Sequence, residues 1–145
     1  GRAGRKNLKG EVFIQTLQPN HPVIKLSTTQ NNQRFTEWEL KSRKESKQPP
    51  FVNYISIIFS SKNENSVVRY SLAISEKIKK TFNKLQIFGP APAILYKKNS
   101  YFRYKTLIKL EKELNYQKEV KKFLVKIKNP KNIKLYIDVD PINFI

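Results

Sequence analysis

The run FVNYISIIFS, from Phe51 to Ser60, decides how the rest of the chain is read. Its β-branched and aromatic residues follow two prolines, Pro49 and Pro50, and predict a β-strand. The run opens a block that continues to Ile145 and in which strand and helix patterns alternate. We therefore expect this block to fold as one compact domain.

The block contains four strand patterns and two helix patterns. Apolar residues at helical spacing among lysines predict amphipathic helices, and β-branched or aromatic runs predict strands. The predicted elements in chain order are strand Phe51 to Ser60, helix Asn65 to Asn83, strand Leu85 to Phe88, strand Tyr101 to Leu110, helix Leu114 to Lys128 and strand Ile133 to Val139. The order β-α-β-β-α-β is that of a ferredoxin-like, two-layer α+β sandwich.

The residues ahead of the block show a different pattern. Gly10 to Thr16 is a β-branched and aromatic run that predicts a strand. His21 is expected to cap a turn or helix, since the sequence holds no second histidine to share a metal. One or two helices are predicted between Val23 and Lys44, with Trp38 packing against the next domain. The two prolines that follow disfavour helix and mark a domain boundary.

Composition limits the classes of function. The 29 basic and 11 acidic residues give a net charge of +18, which attracts polyanions, although codon bias can account for some of the lysines. There is no cysteine, so disulfides and thiolate metal sites are excluded. The longest apolar runs fall far short of the roughly 20 residues of a membrane span, which predicts a cytoplasmic protein. The chain has no methionine and begins with glycine, as expected of a segment of a longer protein.

One stretch, Tyr96 to Lys105, interleaves cations with aromatic rings. Proteins hold single-stranded nucleic acid in this way, with charge along the backbone and rings under the bases. Side chains alternate on a strand, so Phe102 and Tyr104 share one face and only one face can contact the ligand. In the alternative interpretation these two rings are core and the lysines are solvated. The candidate nucleic-acid-binding residues are Lys97, Lys98, Tyr101, Arg103 and Lys105.

Two further groups could carry chemistry. Asp138 and Asp140 flank Val139, and on a strand their carboxylates would point the same way, as a metal-binding or acid-base pair would require. The favoured alternative is structural, with the carboxylates pairing with cations or capping the turn. Arg2 and Arg5 would lie on one side of a helix between small residues, where a phosphate could approach their guanidinium groups. The alternative for them is a flexible basic tail.

With these motifs in order, the chain resembles the C-terminal part of the PriA family of primosomal replication-restart helicases, also called primosomal protein N′. Several short motifs, in the family's order, carry the resemblance. Gly1 to Arg5, Gly10 to Thr16, Pro19 and His21 look like helicase motif VI and the last strand of the second RecA-like lobe. Pro49-Pro50-Phe51, Gly89 to Ala93, Tyr101 with Arg103-Tyr104, and Asp138 to Pro141 look like the C-terminal domain.

The resemblance implies a domain plan and an enzyme activity. Residues 1–19 would end the RecA-like lobe, 20–48 would be a helical linker, and 49–145 would be a C-terminal DNA-binding domain. The parent protein would be an ATP-dependent 3′-to-5′ DNA helicase, with Arg5 and Arg2 at the ATP γ-phosphate and Arg5 as the arginine finger. It would use ATP and Mg²⁺ at sites mostly outside this segment, and zinc held elsewhere. The segment alone is not expected to hydrolyse ATP.

The implied partners are forked or single-stranded DNA, single-stranded DNA-binding protein and other primosome proteins, at the bacterial nucleoid. Lys109, Lys112 and Lys118 are candidates for binding the acidic, apolar tail of single-stranded DNA-binding protein. Two alternatives stay open. One is a free-standing, single-stranded nucleic-acid-binding module of ferredoxin-like fold, and the other is an enzyme that uses the Asp138 and Asp140 pair.

Overall fold

A computed structural model describes residues 10–29, 31–112 and 116–142. The chain divides into two compact units, the first ending at Ser42 and the second beginning at Arg43. The two candidate ATP-site arginines, Arg2 and Arg5, lie outside the described residues. In the parts of the chain that are described, no helix is both long enough and apolar enough to cross a membrane.

The first unit contains α1, Pro22–Thr28, and most of α2, Asn32–Glu45. This confirms the prediction of helices between Val23 and Lys44. His21 caps α1, since its Nδ1 accepts a hydrogen bond from the backbone N–H of Val23 at 3.3 Å. The His21 ring also lies edge-on to Trp38, with 6.5 Å between ring centroids. The capping role predicted for this histidine is confirmed.

The strand predicted over Gly10 to Thr16 is absent, because residues 10–16 are neither helix nor strand. A strand needs a hydrogen-bonded neighbour. The strands that pair within the described ranges all lie between Val52 and Val139, so this run has none. Its apolar side chains are exposed instead, and Phe13 keeps 88% of its surface accessible.

The second unit is a four-stranded antiparallel sheet with two helices. The strands are β1, Val52–Ser61; β2, Gln86–Lys98; β3, Tyr101–Glu111; and β4, Lys134–Val139. The helices are α3, Glu64–Thr81, and α4, Gln117–Val125. The strands lie side by side in the order β2-β3-β1-β4, and every neighbouring pair is antiparallel. The α+β class and the four-stranded sheet predicted from the sequence are confirmed.

One face of the sheet and the two helices enclose the core. On β1, Ile55, Ile57 and Phe59 are fully buried and pack in one cluster with Ile78 of α3 and Leu124 of α4. Because side chains alternate along a strand, the residues between them project to the opposite face. The helices therefore cover only one face of the sheet, and the opposite face carries a second set of side chains.

The structure extends β2 well beyond the short strand predicted over Leu85 to Phe88. The strand continues through the glycine and prolines to Lys98, with register shifts between Phe88 and Ala91 and again further on. Gly89 makes this irregularity feasible, since its φ is +92° and a Cβ there would lie 2.6 Å from the carbonyl oxygen of Lys105. A bulge at glycine lets a strand bend and then resume pairing. The predicted stop is therefore a bulge.

Candidate nucleic-acid interface

The sheet face opposite the helices carries most of the candidate residues. Ser60 pairs with Arg103 on one side and with Lys134 on the other, and Ile58 pairs in the same way with Lys105 and Tyr136. Residues opposite each other in a ladder share a face. We call this surface the open sheet face, and its charged and aromatic members include Tyr101, Arg103, Lys105, Lys134, Tyr136 and Asp138.

A groove of about 730 Å³ runs along this face. Its floor is made by small or apolar residues of β1, of which Ser56 is 3% exposed and Ile58 7% exposed. Arg103, Tyr136 and Asp138 stand along it. Tyr136, on the edge strand β4, is 61% exposed, so its ring is accessible from solvent. The groove thus combines a floor of small or apolar side chains with an accessible ring and charged side chains along its border.

Cations surround the second ring of the open sheet face. The Nζ atom of Lys134 lies 4.5 Å from the ring centroid of Tyr101, and that of Lys62 lies 5.9 Å from it. Both distances are within the range of a cation–π contact. The ring is therefore held beside two ammonium groups that could contact a phosphate while a base stacks on the tyrosine.

The charged side chains of the open sheet face act on one another. Partial burial lowers the pKa of Lys105, and the positive charge of Arg103 lowers it further, while the Asp138 carboxylate opposes both effects. The Arg103 guanidinium is oriented by its Nη1, which donates to the carbonyl oxygen of Leu95 at 3.3 Å. Two cations and one carboxylate thus share a small, partly desolvated area.

Phe102 and Tyr104 lie on the helix-covered face and pack against the core. This confirms the predicted alternation along β3 and shows that these rings are structural. The Tyr104 hydroxyl donates to Oε1 of Glu64 at 3.0 Å, and the Tyr96 hydroxyl donates to the same oxygen. The hydrogen bond to Glu64 is the main cause that raises the pKa of Tyr96 to about 12. Glu64 therefore ties the β2–β3 hairpin to the start of α3.

The structure separates Lys97 from the other predicted nucleic-acid-binding residues. Lys97 pairs with Phe102, and its Nζ lies 4.7 Å from the Phe102 ring centroid, on the helix-covered side. Lys98 pairs with Tyr101 and so belongs with the open sheet face. Four of the five predicted residues, Lys98, Tyr101, Arg103 and Lys105, are thus brought together.

The three lysines predicted for partner-tail binding are not brought into one cluster. Lys109 pairs with Tyr54 on β1 and follows Lys105 by an even number of positions, which places it on the open sheet face. Lys112 lies after the end of β3 and borders a cavity of about 230 Å³. Lys118 is on α4 and borders a groove of about 380 Å³ with Lys121, Lys122 and other α4 residues.

Asp140 has a structural role. It follows the end of β4 with a φ of 52°, so the strand alternation that would align it with Asp138 no longer applies. Its carboxylate accepts from Asn53 Nδ2 at 2.9 Å, from the backbone N–H of Tyr54 at 3.1 Å and from Gln117 Nε2 at 3.1 Å. Among residues 10–29, 31–112 and 116–142, no group of three or more His, Cys, Asp or Glu side chains could hold a metal ion.

Sequence reasoning missed several members of the site. Lys62, Lys134 and Tyr136 were not predicted, nor was the bridging role of Glu64. The alternation of Lys134, Tyr136 and Asp138 along β4 was a visible signal that these side chains share a face. Which face that is, and which strand lies beside it, follows only from the strand order.

The fold and the open sheet face define a small, basic α+β domain with a cationic and aromatic sheet surface. Residues 44–142 match the family model described as the primosomal protein N C-terminal domain. The chain belongs to this family and corresponds to a C-terminal part of the replication restart protein PriA. The resemblance stated from the sequence is confirmed.

The chain is similar over nearly its whole length to curated relatives named replication restart protein PriA. It is 34% identical to that of Rickettsia felis over 144 residues, which cover 99% of this chain and 22% of the relative. It is 35% identical to that of Borreliella burgdorferi over 147 residues, with 100% and 22% covered. The Synechocystis protein is 34% identical over 148 residues, with 99% and 17% covered. The chain thus spans about a fifth of the length of these relatives.

Proposed function

We propose that this chain is a DNA-binding part of a replication restart protein and that its open sheet face binds single-stranded DNA. The observation that carries the proposal is that one face of the sheet holds Tyr101, Tyr136, Arg103 and Lys105. Two of them, Arg103 and Tyr136, line a groove of about 730 Å³. Stacking rings combined with cations are what sequence-tolerant binding of single strands requires. The net charge of +18 supports the same ligand.

Each side chain has a definite task in this proposal. Tyr101 and Tyr136 stack on bases, while the cations beside them contact phosphates. Arg103 suits a phosphate because its planar fork can donate two parallel hydrogen bonds. Lys105 and Lys134 act as point charges, and the partial burial of Lys105 strengthens its attraction for a phosphate because water screens it less.

We further infer that the second unit has a ferredoxin-like fold. The chain order β-α-β-β-α-β and the antiparallel strand order β2-β3-β1-β4 support this assignment. The domain plan stays as predicted from the sequence. Residues 1–19 would end a RecA-like lobe, 20–48 would be a helical linker, and 49–145 would form the C-terminal DNA-binding domain.

For the parent protein we propose the activity that the family resemblance implies. It would be an ATP-dependent 3′-to-5′ DNA helicase that requires Mg²⁺ and holds zinc elsewhere, with Arg5 and Arg2 at the γ-phosphate. Its partners would be forked DNA, single-stranded DNA-binding protein and other primosome proteins. The relatives named replication restart protein support this proposal. Lys109, Lys112 and Lys118 lie in three different places, so each of them would bind the tail of single-stranded DNA-binding protein together with a different set of surrounding residues.

The test measures binding of a fluorescently labelled oligo(dT) to the 145-residue chain by anisotropy over a range of salt concentrations. Replacing Tyr101 with alanine removes a stacking platform and is expected to weaken binding by about 1 to 3 kcal/mol. Replacing Lys105 with alanine removes one phosphate contact, so the slope of log K against log salt should become shallower by about 0.7. Lys121→Ala is the matched control, since it removes the same charge from α4.

The outcomes separate specific binding from general attraction. If both open-face variants weaken binding more than Lys121→Ala does, and Lys105→Ala also makes the salt slope shallower than Lys121→Ala does, the open sheet face is the binding surface. Equal effects of Lys105→Ala and Lys121→Ala would show that only overall charge matters. A wild-type chain that does not bind oligo(dT) would refute the proposed function.

A further inference from the structure

One member of the open sheet face has the wrong charge for contacting a phosphate backbone. Asp138 lies on β4 opposite Ser56, is partly buried and borders the same groove as Arg103. A carboxylate at this position repels phosphates and reduces the attraction supplied by Arg103 and Lys105. A face that contacted only the nucleic-acid backbone would gain affinity from a neutral residue there.

The Asp138 carboxylate also keeps its capacity to accept hydrogen bonds. The neighbouring Asp140 accepts from Asn53, Tyr54 and Gln117. In contrast, no hydrogen bond to Asp138 is formed by any residue in the described ranges. Lys105 of β3 is close enough for the Asp138 carboxylate to act on its pKa, and Arg103 borders the same groove as Asp138.

The position of Asp138 relative to Tyr136 would allow its carboxylate to accept a hydrogen bond from a bound base. The two residues are two positions apart on β4, so their side chains share a face and their Cα atoms lie about 6.5 to 7 Å apart. A base stacked on the exposed ring of Tyr136 would therefore direct one edge towards the carboxylate. Ionised Asp accepts hydrogen bonds and cannot donate them.

We propose that Asp138 gives the open sheet face a base preference, favouring bases that present an exocyclic amino group over thymine. The inference rests on the proposed function, since it requires a single strand on this face. Cytosine and thymine are the decisive pair because both are pyrimidines. Cytosine presents an amino donor at its N4, whereas thymine presents a carbonyl acceptor, O4, at the corresponding position. The carboxylate attracts the first and repels the second.

The experiment compares oligo(dC) and oligo(dT) of equal length binding to the 145-residue chain, at fixed salt and mildly alkaline pH so that cytosine stays neutral. Wild type is expected to bind oligo(dC) about fivefold more tightly, the lower end of what base-specific contacts supply. In Asp138→Ala and Asp138→Asn the ratio should fall towards one. Both variants should also bind oligo(dT) more tightly, because a negative charge that repels phosphates and thymine O4 is lost.

The decisive quantity is the ratio of the affinities for oligo(dC) and oligo(dT), since the loss of any acidic side chain reduces the general repulsion of both oligomers. Glu76→Gln, which removes a negative charge from the exposed side of α3, is the matched control and should keep the wild-type ratio. A wild-type ratio near one, or a ratio unchanged in Asp138→Ala, would overturn the base preference while leaving single-strand binding intact. Failure of both oligomers to bind would overturn the proposed function and this inference together.

Discussion

Asp140 offers a sharp test of how the edge of the open sheet face is held in place. Its backbone N–H donates to the carbonyl oxygen of Tyr54 at 2.7 Å, and its carboxylate accepts from donors on β1 and at the start of α4. Its φ of 52° lies in the left-handed region, which Asp, Asn and Gly tolerate better than other residues. Three substitutions, Asp140→Asn, Asp140→Gly and Asp140→Ala, separate the contribution of the carboxylate's hydrogen bonds from that of the left-handed backbone conformation.

The expected costs follow from the contacts. Three donors lose their acceptor in the glycine and alanine variants, and because the site is exposed we assign each about 0.5 kcal/mol, the low end for a hydrogen bond. Asp140→Gly should therefore cost about 1.5 kcal/mol. Asp140→Ala adds about 1 kcal/mol for the left-handed backbone and should cost about 2.5 kcal/mol. Asp140→Asn keeps one acceptor and the backbone tolerance, so we expect less than 1 kcal/mol.

Urea unfolding of the 145-residue chain followed by far-UV circular dichroism measures these costs. Fluorescence is the wrong probe because the single tryptophan, Trp38, lies in the first unit. Asp138→Asn is the control, since its carboxylate accepts no hydrogen bond from the described residues and the change should be close to neutral. Equal losses for the alanine and glycine variants would contradict the backbone argument, and an asparagine variant as unstable as alanine would show that the negative charge itself dominates.

Two further predictions concern hydroxyl groups. The pKa of Tyr96 is raised to about 12, so the neutral phenol is favoured in the folded chain. The contribution of this phenol to folding stability is fully present below pH 10.0, the ordinary pKa of tyrosine, and is lost as pH rises through about 12. Absorbance titration of wild type should show one tyrosine that ionises near pH 12, and this transition should be absent in Tyr96→Phe. In Glu64→Gln the transition should move to lower pH. An unchanged titration curve in Glu64→Gln would rule out the hydrogen bond to Glu64 as the cause. The buried hydroxyls of Ser75 and Thr106 lie 2.8 Å apart, so Thr106→Val should cost about 1 to 3 kcal/mol by leaving Ser75 unpaired. Adding Ser75→Ala should recover part of that loss in urea unfolding, and a fully additive double variant would mean that the two hydroxyls do not interact.

The sequence by itself determined the elements of the second unit and the family. Alternation along β3 was enough to place Phe102 and Arg103 on opposite faces, because a side-chain period of two is a local property, but it left open which face was the core. Helical spacing located α3 and α4, and short motifs in the right order identified the relatives. The failures were also local in origin. A β-branched run predicts a strand whether or not a partner strand exists, which is why the strand predicted over Gly10 to Thr16 was wrong. A glycine next to proline has the same sequence pattern in a turn and in a bulge.

Only the tertiary structure decided which residues share the site. Lys134 and Tyr136 join Arg103 and Lys105 because β1 lies between β3 and β4, and Lys62 reaches Tyr101 from beyond the end of β1. The strand order and register that create these contacts depend on packing between residues far apart in sequence, which no local pattern encodes. For the same reason the composition could predict a polyanion ligand, while the groove that Arg103, Tyr136 and Asp138 border became visible only once the sheet was assembled.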